Sequence, residues 1–216
     1  MTEERRLHIK GIGQAAQVPD VAVVSLTVTA QNMEYAAAMT VANQQVEMLR
    51  ESIVEAGFHA DDLKTTNFNV RAVYENEEYR EGKATRNRQI FSGFECCHDL
   101  SLTFDFDNAK LNRALDTIAA GLSQPKIAIA FTLKDSDALN DKLLTLAAKD
   151  ARRKAEIICA ASGVKLGRLI DINYTEATAQ DTIVCGACAP VEKNSFDLRP
   201  EELTASISVD FLWEIE

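Results

Sequence analysis

The chain repeats one plan twice. The first copy starts with an apolar strand at Val21–Thr29 and an alanine-rich helix at Met33–Ala56 that stops at Gly57. A strand at Leu63–Tyr74, a charged excursion and an alternating strand at Asp99–Phe106 complete it. The second copy runs from Ile127–Leu133 to a helix at Ser136–Ser162 that stops at Gly163. A strand at Leu169–Tyr174, a cysteine-containing excursion and a strand at Leu203–Glu216 follow. Each helix carries one apolar stripe and each strand one apolar face, and these must bury one another.

Helices are read from three-and-four spacing. Tyr35, Ala38, Ala42, Val46, Leu49, Ile53 and Ala56 form one stripe, with Asn32 as its cap and Gly57 as its left-handed stop. Leu111, Leu115, Ile118 and Leu122 form a shorter one, opened by Asp107 and stopped by Gly121. Leu139, Leu143, Ala147, Ala151, Ala155, Ile158 and Ser162 form the third, capped by Asp135 or Ser136 and ended by Gly163. Strands are read from alternation. Leu100, Leu102, Phe104 and Phe106 oppose Asp99, Ser101, Thr103 and Asp105. In the last segment Leu203, Ala205, Ile207, Val209, Phe211, Trp213 and Ile215 alternate with mostly polar residues, Leu212 breaking the polar face. One dry face and one wet face is what antiparallel sheets permit.

The fold class expected is therefore α+β: two β-α-β-β-like halves with largely antiparallel sheets packed by long helices. The halves are 1–106 and 107–216, two lobes joined by the short central helix. Two excursions interrupt them. Glu75–Arg88 is dense in charge and reads as a long hairpin tip, and 176–199 holds Cys185, Cys188 and Pro190. Loops of this length are functional or poorly ordered.

The net charge of -10 argues against a nucleic-acid surface, which needs basic groups to replace phosphate counterions. No segment approaches the roughly 20 apolar residues that span a bilayer. The start, MTEERRLHIKGIG, lacks the apolar stretch of a secretory leader, so a cytoplasmic location is expected. The 5 cysteines fit reduced thiols better than a disulfide framework.

Candidate chemistry is sparse. Gly11-Ile12-Gly13 is followed by Pro19-Asp20 and another strand, not by the helix a phosphate loop needs, so glycines at a turn are the better account. Cys185 and Cys188, spaced C-x-x-C, are the sharpest feature. They lack a following helix to lower a thiol pKa, and they supply two of the four ligands of a structural zinc. Cys96, Cys97 or His98 would have to supply the rest. Neighbours on a strand point to opposite faces, so Cys96 and Cys97 cannot both reach one ion without a bulge. Cys185, Cys188 and Cys97 stand as thiol or metal candidates beside the simpler account of free thiols, and Cys159 reads as a small core residue. His8, His59 and His98 lie in no nucleophile motif. Arg152, Arg153 and Lys154, with Lys142 and Lys149 among acids, read as a solvated, ion-paired helix face, ahead of a partner-docking site. Asp61-Asp62 and Asp105-x-Asp107 read as caps, since calcium-loop spacing is missing. No catalytic residue, cofactor or metal site is assigned.

A set of landmarks in order carries a resemblance. Gly11-x-Gly13 is followed by Pro19-Asp20-x-Ala22, Gly57, Asp61-Asp62-Leu63-x-Thr65, and Tyr74 before the charged excursion with Gly93-Phe94 after it. Gly121 comes next, then Ala147-Ala148-x-Asp150-Ala151-x-x-Lys154-Ala155, Gly163-x-x-Leu166-Gly167 and Arg199-Pro200-Glu201-Glu202. From about Leu7 to the end, the chain resembles the SIMPL-domain family. That family includes bacterial periplasmic immunogenic or outer-membrane antigen proteins and a vertebrate protein that binds an interleukin-receptor-associated kinase. The resemblance implies an α+β fold, large ring-like homo-oligomers with a central channel in some members, and a link to oxidative-stress tolerance without a defined reaction. The chain departs from it by lacking the leader of periplasmic members and by carrying the C-x-x-C loop.

The function expected is a non-enzymatic, self-associating binding or scaffold module: a homo-oligomer with a possible protein partner, no nucleic acid and no membrane span. The alternative is a cytosolic thiol-redox or zinc-stabilised protein using Cys185 and Cys188. A small-molecule binder between helices and sheet is a third reading.

Overall fold

A computed structural model of the chain describes residues 5–81, 84–174 and 198–216, with the backbone alone for 79–81 and 84–86. The elements are β1 (Arg6–Gln17), β2 (Val21–Asn32), α1 (Tyr35–Glu55), β3 (Leu63–Glu81), β4 (Ala84–Asp105), α2 (Asn108–Ala120), β5 (Lys126–Thr132), α3 (Ser136–Ser162), β6 (Leu166–Asn173) and β7 (Leu203–Ile215). A single 3-10 turn at Ala60–Asp62 precedes β3. Helices and antiparallel strands form the α+β class expected.

Two compact units result. One gathers described residues 5–19, 133–174 and 200–216, the other 20–132 with 198–199. The expected halves, 1–106 and 107–216, are thus each divided between units. Strand pairing is the reason. β1 pairs with β7 from Arg6↔Glu214 to Gln17↔Leu203, so the N-terminal strand belongs to the C-terminal sheet. β5 pairs with β2 from Val21↔Thr132 to Thr27↔Lys126. α2 buries Leu111, Leu115 and Ile118 in the same core as α1. The short helix is therefore a core element of one unit.

The smaller sheet has the order β1-β7-β6, the larger β3-β4-β2-β5. In the larger unit Val24, Leu26, Val28, Leu63, Leu100 and Leu102 meet Val46, Leu49 and Ile53 of α1 and the three α2 residues. Further along the same sheet face, Ala30 and Cys96 lie under Ala38 and Ala42, whose missing bulk brings α1 close. In the smaller unit Ile207, Val209, Phe211 and Trp213 of β7 and Ile9 of β1 pack on Leu139, Leu143, Ala147, Ala151 and Ala155 of α3.

Gly11 and Gly13 sit within β1, not at a turn as expected. A Cβ at Gly11 would collide with the carbonyl oxygen of Ala147, and one at Gly13 with that of Leu143. They are bare so that α3 can lie on the strand. Their edge of the sheet is covered as well: Asp150 Oδ2 accepts from Ile12 N at 3.0 Å, and Lys154 Nζ donates to Lys10 O at 3.1 Å.

The caps largely follow the sequence. Asp107 accepts from Ala109 N at 2.8 Å and Lys110 N at 3.4 Å, and Asp135 accepts from Ala138 N at 2.8 Å. Gly57 and Gly163 end their helices at φ 95 and 70. Asn32 differs: α1 starts after Glu34, and Asn32 Oδ1 accepts from Glu34 N at 3.1 Å instead of capping the first turn.

Candidate functional site

Glu75–Arg88 reads as a hairpin tip, and the strands on both sides of it extend further than the sequence indicates, to Glu81 and from Ala84. The β3–β4 ladder runs on from Tyr74↔Phe91 to Glu81↔Ala84, while β2 leaves β4 at Asn32↔Phe94. Beyond that point the larger sheet becomes a two-stranded ribbon. A bulge marks the departure, because Val73 pairs with Gly93 and Tyr74 with Phe91, leaving Ser92 extra. Gly93 adopts φ 119 there, and a Cβ on it would lie 2.6 Å from Asn32 O. Ser92 Oγ donates to a Glu75 carboxylate oxygen at 2.7 Å, and Gln31 Nε2 donates to Ser92 O at 3.1 Å. The bulge thus turns the ribbon out of the sheet and fixes it there.

The ribbon has two unlike faces. Rings at Tyr35–Phe94, Phe94–Phe91 and Phe91–Tyr74 follow one another with centroids 5.5, 5.3 and 5.7 Å apart, all edge-on. This strip prolongs the core face of the sheet past the first turn of α1, where nothing described covers it fully: Tyr74 is 57% exposed and Phe91 37%. The opposite face is ionic. Arg88 Nη2 lies 2.7 Å from Glu77 Oε2, beside Ser92–Glu75. At its base Arg71 Nη2 lies 2.7 Å from Glu95 Oε1. The aromatic strip escaped the sequence reading because the strand was ended at Tyr74. The available signal was Tyr74 and Phe91 standing either side of the charged stretch.

A second polar feature lies under α1. His98 Nε2 is 2.9 Å from Thr65 Oγ1, and its ring packs edge-on against Phe68 at 5.3 Å. Burial pushes the His98 pKa down, the charge of Arg50 adds to that, and Asp99 opposes it. His98 Nδ1 and Arg50 Nε are buried atoms with no hydrogen bond, although Arg50 Nε lies 3.7 Å from Glu47 Oε1. On the outer face of the sheet Asp99 accepts from Thr27 at 2.7 Å and Asn67 at 3.1 Å, which lowers its pKa.

The cysteines do not gather. Cys96 is buried against Ala38 and Ala42, and burial, reinforced by Cys97, raises its pKa. Cys97 faces the other way, its Sγ 3.7 Å from Glu95 Oε1 and 4.0 Å from Thr29 Oγ1. Cys159 is buried on α3. Cys185 and Cys188 lie outside the described residues. Among the described residues, no three His, Cys, Asp or Glu side chains stand together to hold a metal. His59 sits at the 3-10 turn, where its N–H donates to Asp62 at 2.9 Å, and His8 pairs with Leu212 in the β1–β7 ladder. The basic flank of α3 is ion-paired: Arg152 to Glu156 at 3.0 Å, Arg153 and Lys154 to Asp150 at 2.7 and 2.6 Å.

A depression of about 410 Å³ is lined by Gln14, Ala15, Ala16, Thr204, Ala205 and Ser206. It presents no titratable side chain. Among the described residues no helix is long and apolar enough to cross a membrane.

Comparison with known proteins identifies the family. The model of the SIMPL family, described as "Protein of unknown function (DUF541)", matches residues 7–212. The 26 kDa periplasmic immunogenic protein of Brucella melitensis biotype 1 is 23% identical over 221 residues, covering 100% of this chain and 86% of that protein. The protein of the same name from Brucella abortus gives the same identity and coverage. Both relatives are called periplasmic, which points away from the cytoplasmic location expected from the sequence.

Proposed function

The chain belongs to the SIMPL family, and from that premise we propose that it is a self-associating binding or scaffold module of the periplasm that performs no reaction of its own. The observation that carries this reading is the state of the sheet edges. β1 is covered by α3 through Asp150 and Lys154. β3, β5 and β6 end their sheets with no further strand beside them among the described residues. Soluble proteins blunt such edges or use them for pairing. Here two of them carry exposed apolar side chains: Leu169, Ile170 and Ile172 on β6, and Tyr74 on β3. Aromatic residues beside open backbone groups suit recognition of a protein surface.

The periplasmic placement rests on the relatives' names and not on chemistry of this chain. A link to stress tolerance would follow from what the module binds.

Analytical ultracentrifugation over a wide concentration range tests the reading. A discrete species larger than one chain, dissociating on dilution, is expected. A chain that stays monomeric at every concentration refutes self-association.

A further inference from the structure

We infer that the outward flank of α1 docks a cationic amphipathic helix of a partner protein. This names a partner for the binding role proposed above and rests on that part of it; self-association, read by sedimentation, stands or falls separately.

The spacing of α1 is the first ground. Its buried stripe, Ala38, Ala42, Val46, Leu49 and Ile53, faces the sheet. Ala37, Val41, Gln44, Met48, Glu51 and Glu55 recur at alternating steps of four and three, the spacing of a helix–helix seam. This second line points away from the core, and among the described residues nothing seals it. Val41 is 36% exposed and Met48 37%, and Glu51 and Glu55 are exposed. Along it lies a depression of about 650 Å³ lined by Thr40, Asn43, Gln44, Glu47, Met48 and Glu51. A helix seated there would cover Val41 and Met48 as paired anchors, i and i+7, of a helix-in-groove contact.

Charge is the second ground, and it selects the occupant. Glu47, Glu51 and Glu55 stand four residues apart, and like charges at that spacing destabilise a helix. They also gather toward the C-terminus of α1, the negative end of its dipole, while the first turn holds no acid and the last turn no base. Helix stability does not explain this arrangement. Arg50, the one cation of α1, lies 3.7 Å from Glu47 and donates to Ala60 O at 3.3 Å. Arg113 of α2 approaches Gly57, just beyond the helix end. Glu51 and Glu55 have no ion pair among the described residues. Lysines or arginines of a partner helix would neutralise this ladder and complement the dipole together. A second copy would set acid against acid in a chain of net charge -10, and an anionic bilayer would be repelled in the same way.

A synthetic amphipathic helix of leucine and lysine is the probe, with a version carrying glutamate for lysine as its control, and binding is read by fluorescence anisotropy. The lysine peptide is expected to bind the wild-type chain and the glutamate peptide is not. Val41→Ser/Met48→Ser and Glu51→Lys/Glu55→Lys are each expected to weaken binding about tenfold or more. Glu201→Lys/Glu202→Lys makes the same change in net charge on exposed residues ahead of β7 and is expected to leave affinity within about threefold. Because its charges then suit the dipole, the Glu51→Lys/Glu55→Lys chain is expected to melt no lower than wild type. Absence of binding, or equal weakening by the Glu201→Lys/Glu202→Lys control, overturns the inference. A lower melting temperature for Glu51→Lys/Glu55→Lys also overturns it, by giving those carboxylates a structural role. Sedimentation of that variant covers the remaining occupant: a changed subunit count would assign the flank to a second copy and end the inference.

Discussion

His98 holds its ring against Phe68 and Thr65 on the side of the sheet that carries the core, with Arg50 of α1 nearby. Burial first and that guanidinium second push the histidine pKa below its ordinary value. Glu47 of α1 faces the guanidinium at 3.7 Å, and Asp99 acts on the ring from β4 in the opposite sense. A folded-state pKa below the unfolded value means the unfolded chain binds the proton more readily. Stability from this site is therefore complete above about pH 6.5, the ordinary histidine value, and declines as pH falls from there toward the folded-state pKa. Chemical denaturation across that interval should show the wild-type midpoint dropping on acidification and the His98→Gln midpoint holding nearly level. A wild-type midpoint as flat as the variant's would show that the imidazole is not constrained by its surroundings. The carboxylates with depressed pKa values, Asp99 and Asp150, titrate in a more acidic interval and leave this window clear.

Elements whose stripes repeat locally were legible in the sequence, and those defined by distant pairing were not. α3 spans Ser136–Ser162 as its apolar spacing indicates, and Asp135 caps it. The ribbon reads as a hairpin tip, but the continuation of its strands past Tyr74 leaves no periodic signal, because its faces set Glu75 and Glu77 against Asn76 and Glu78 and no dry face marks the period; its order comes from cross-strand partners such as Arg88. The pairing of β1 with β7 leaves no local trace either, since its partners stand at opposite ends of the chain. The glycines of β1 were visible, but their reason was not, because the colliding atoms belong to α3. That contact can be measured. Gly13→Ala should cost about 2 kcal/mol or more, in the upper part of the overpacking range, because helix backbone cannot yield as a side chain does. Gly163→Ala, at φ 70 with no atom within 4 Å of a new Cβ, should cost about 1 kcal/mol for its backbone conformation alone. Urea denaturation of both variants orders them; equal losses would mean that α3 moves aside freely. Asp150→Asn probes the same junction electrostatically. Lys154, Ile12 N and Arg153 hold the Asp150 carboxyl far below its usual range. A depressed pKa stabilises the fold above the unfolded value and loses that effect as pH falls below about 3.9. The variant should melt lower at neutral pH and lose this part of the acid dependence, and an unchanged melting curve would leave Asp150 as a solvated surface charge.

At the scale of the whole molecule, the chain inserts one unit within another. β1 leaves the smaller unit after Gln17, residues 20–132 build the larger one, and α3 returns to cover β1. The larger unit draws its core of two helices and four strands from residues contiguous in sequence, Val24 to Phe131, with Leu198 packed against it from outside that span. The smaller unit cannot close without its first strand. α3 would lose the backbone that Ala147 and Ala151 pack on, Asp150 would lose Ile12 N, and β7 would become an edge with Phe211 and Trp213 beside it. A long apolar strand left open in this way favours aggregation over folding. Residues 20–132 produced alone should therefore unfold cooperatively in urea, while residues 133–216 alone should be poorly soluble or lack a cooperative transition. Adding a peptide of residues 5–19 to the second fragment should restore helical ellipticity and a cooperative transition, with affinity reduced when Gly11 and Gly13 in the peptide are replaced by alanine. A 133–216 fragment that folds without the peptide would show that β7, β6 and α3 form a sufficient core. Restoration unaffected by the alanines would show that the peptide pairs with β7 without docking beneath α3.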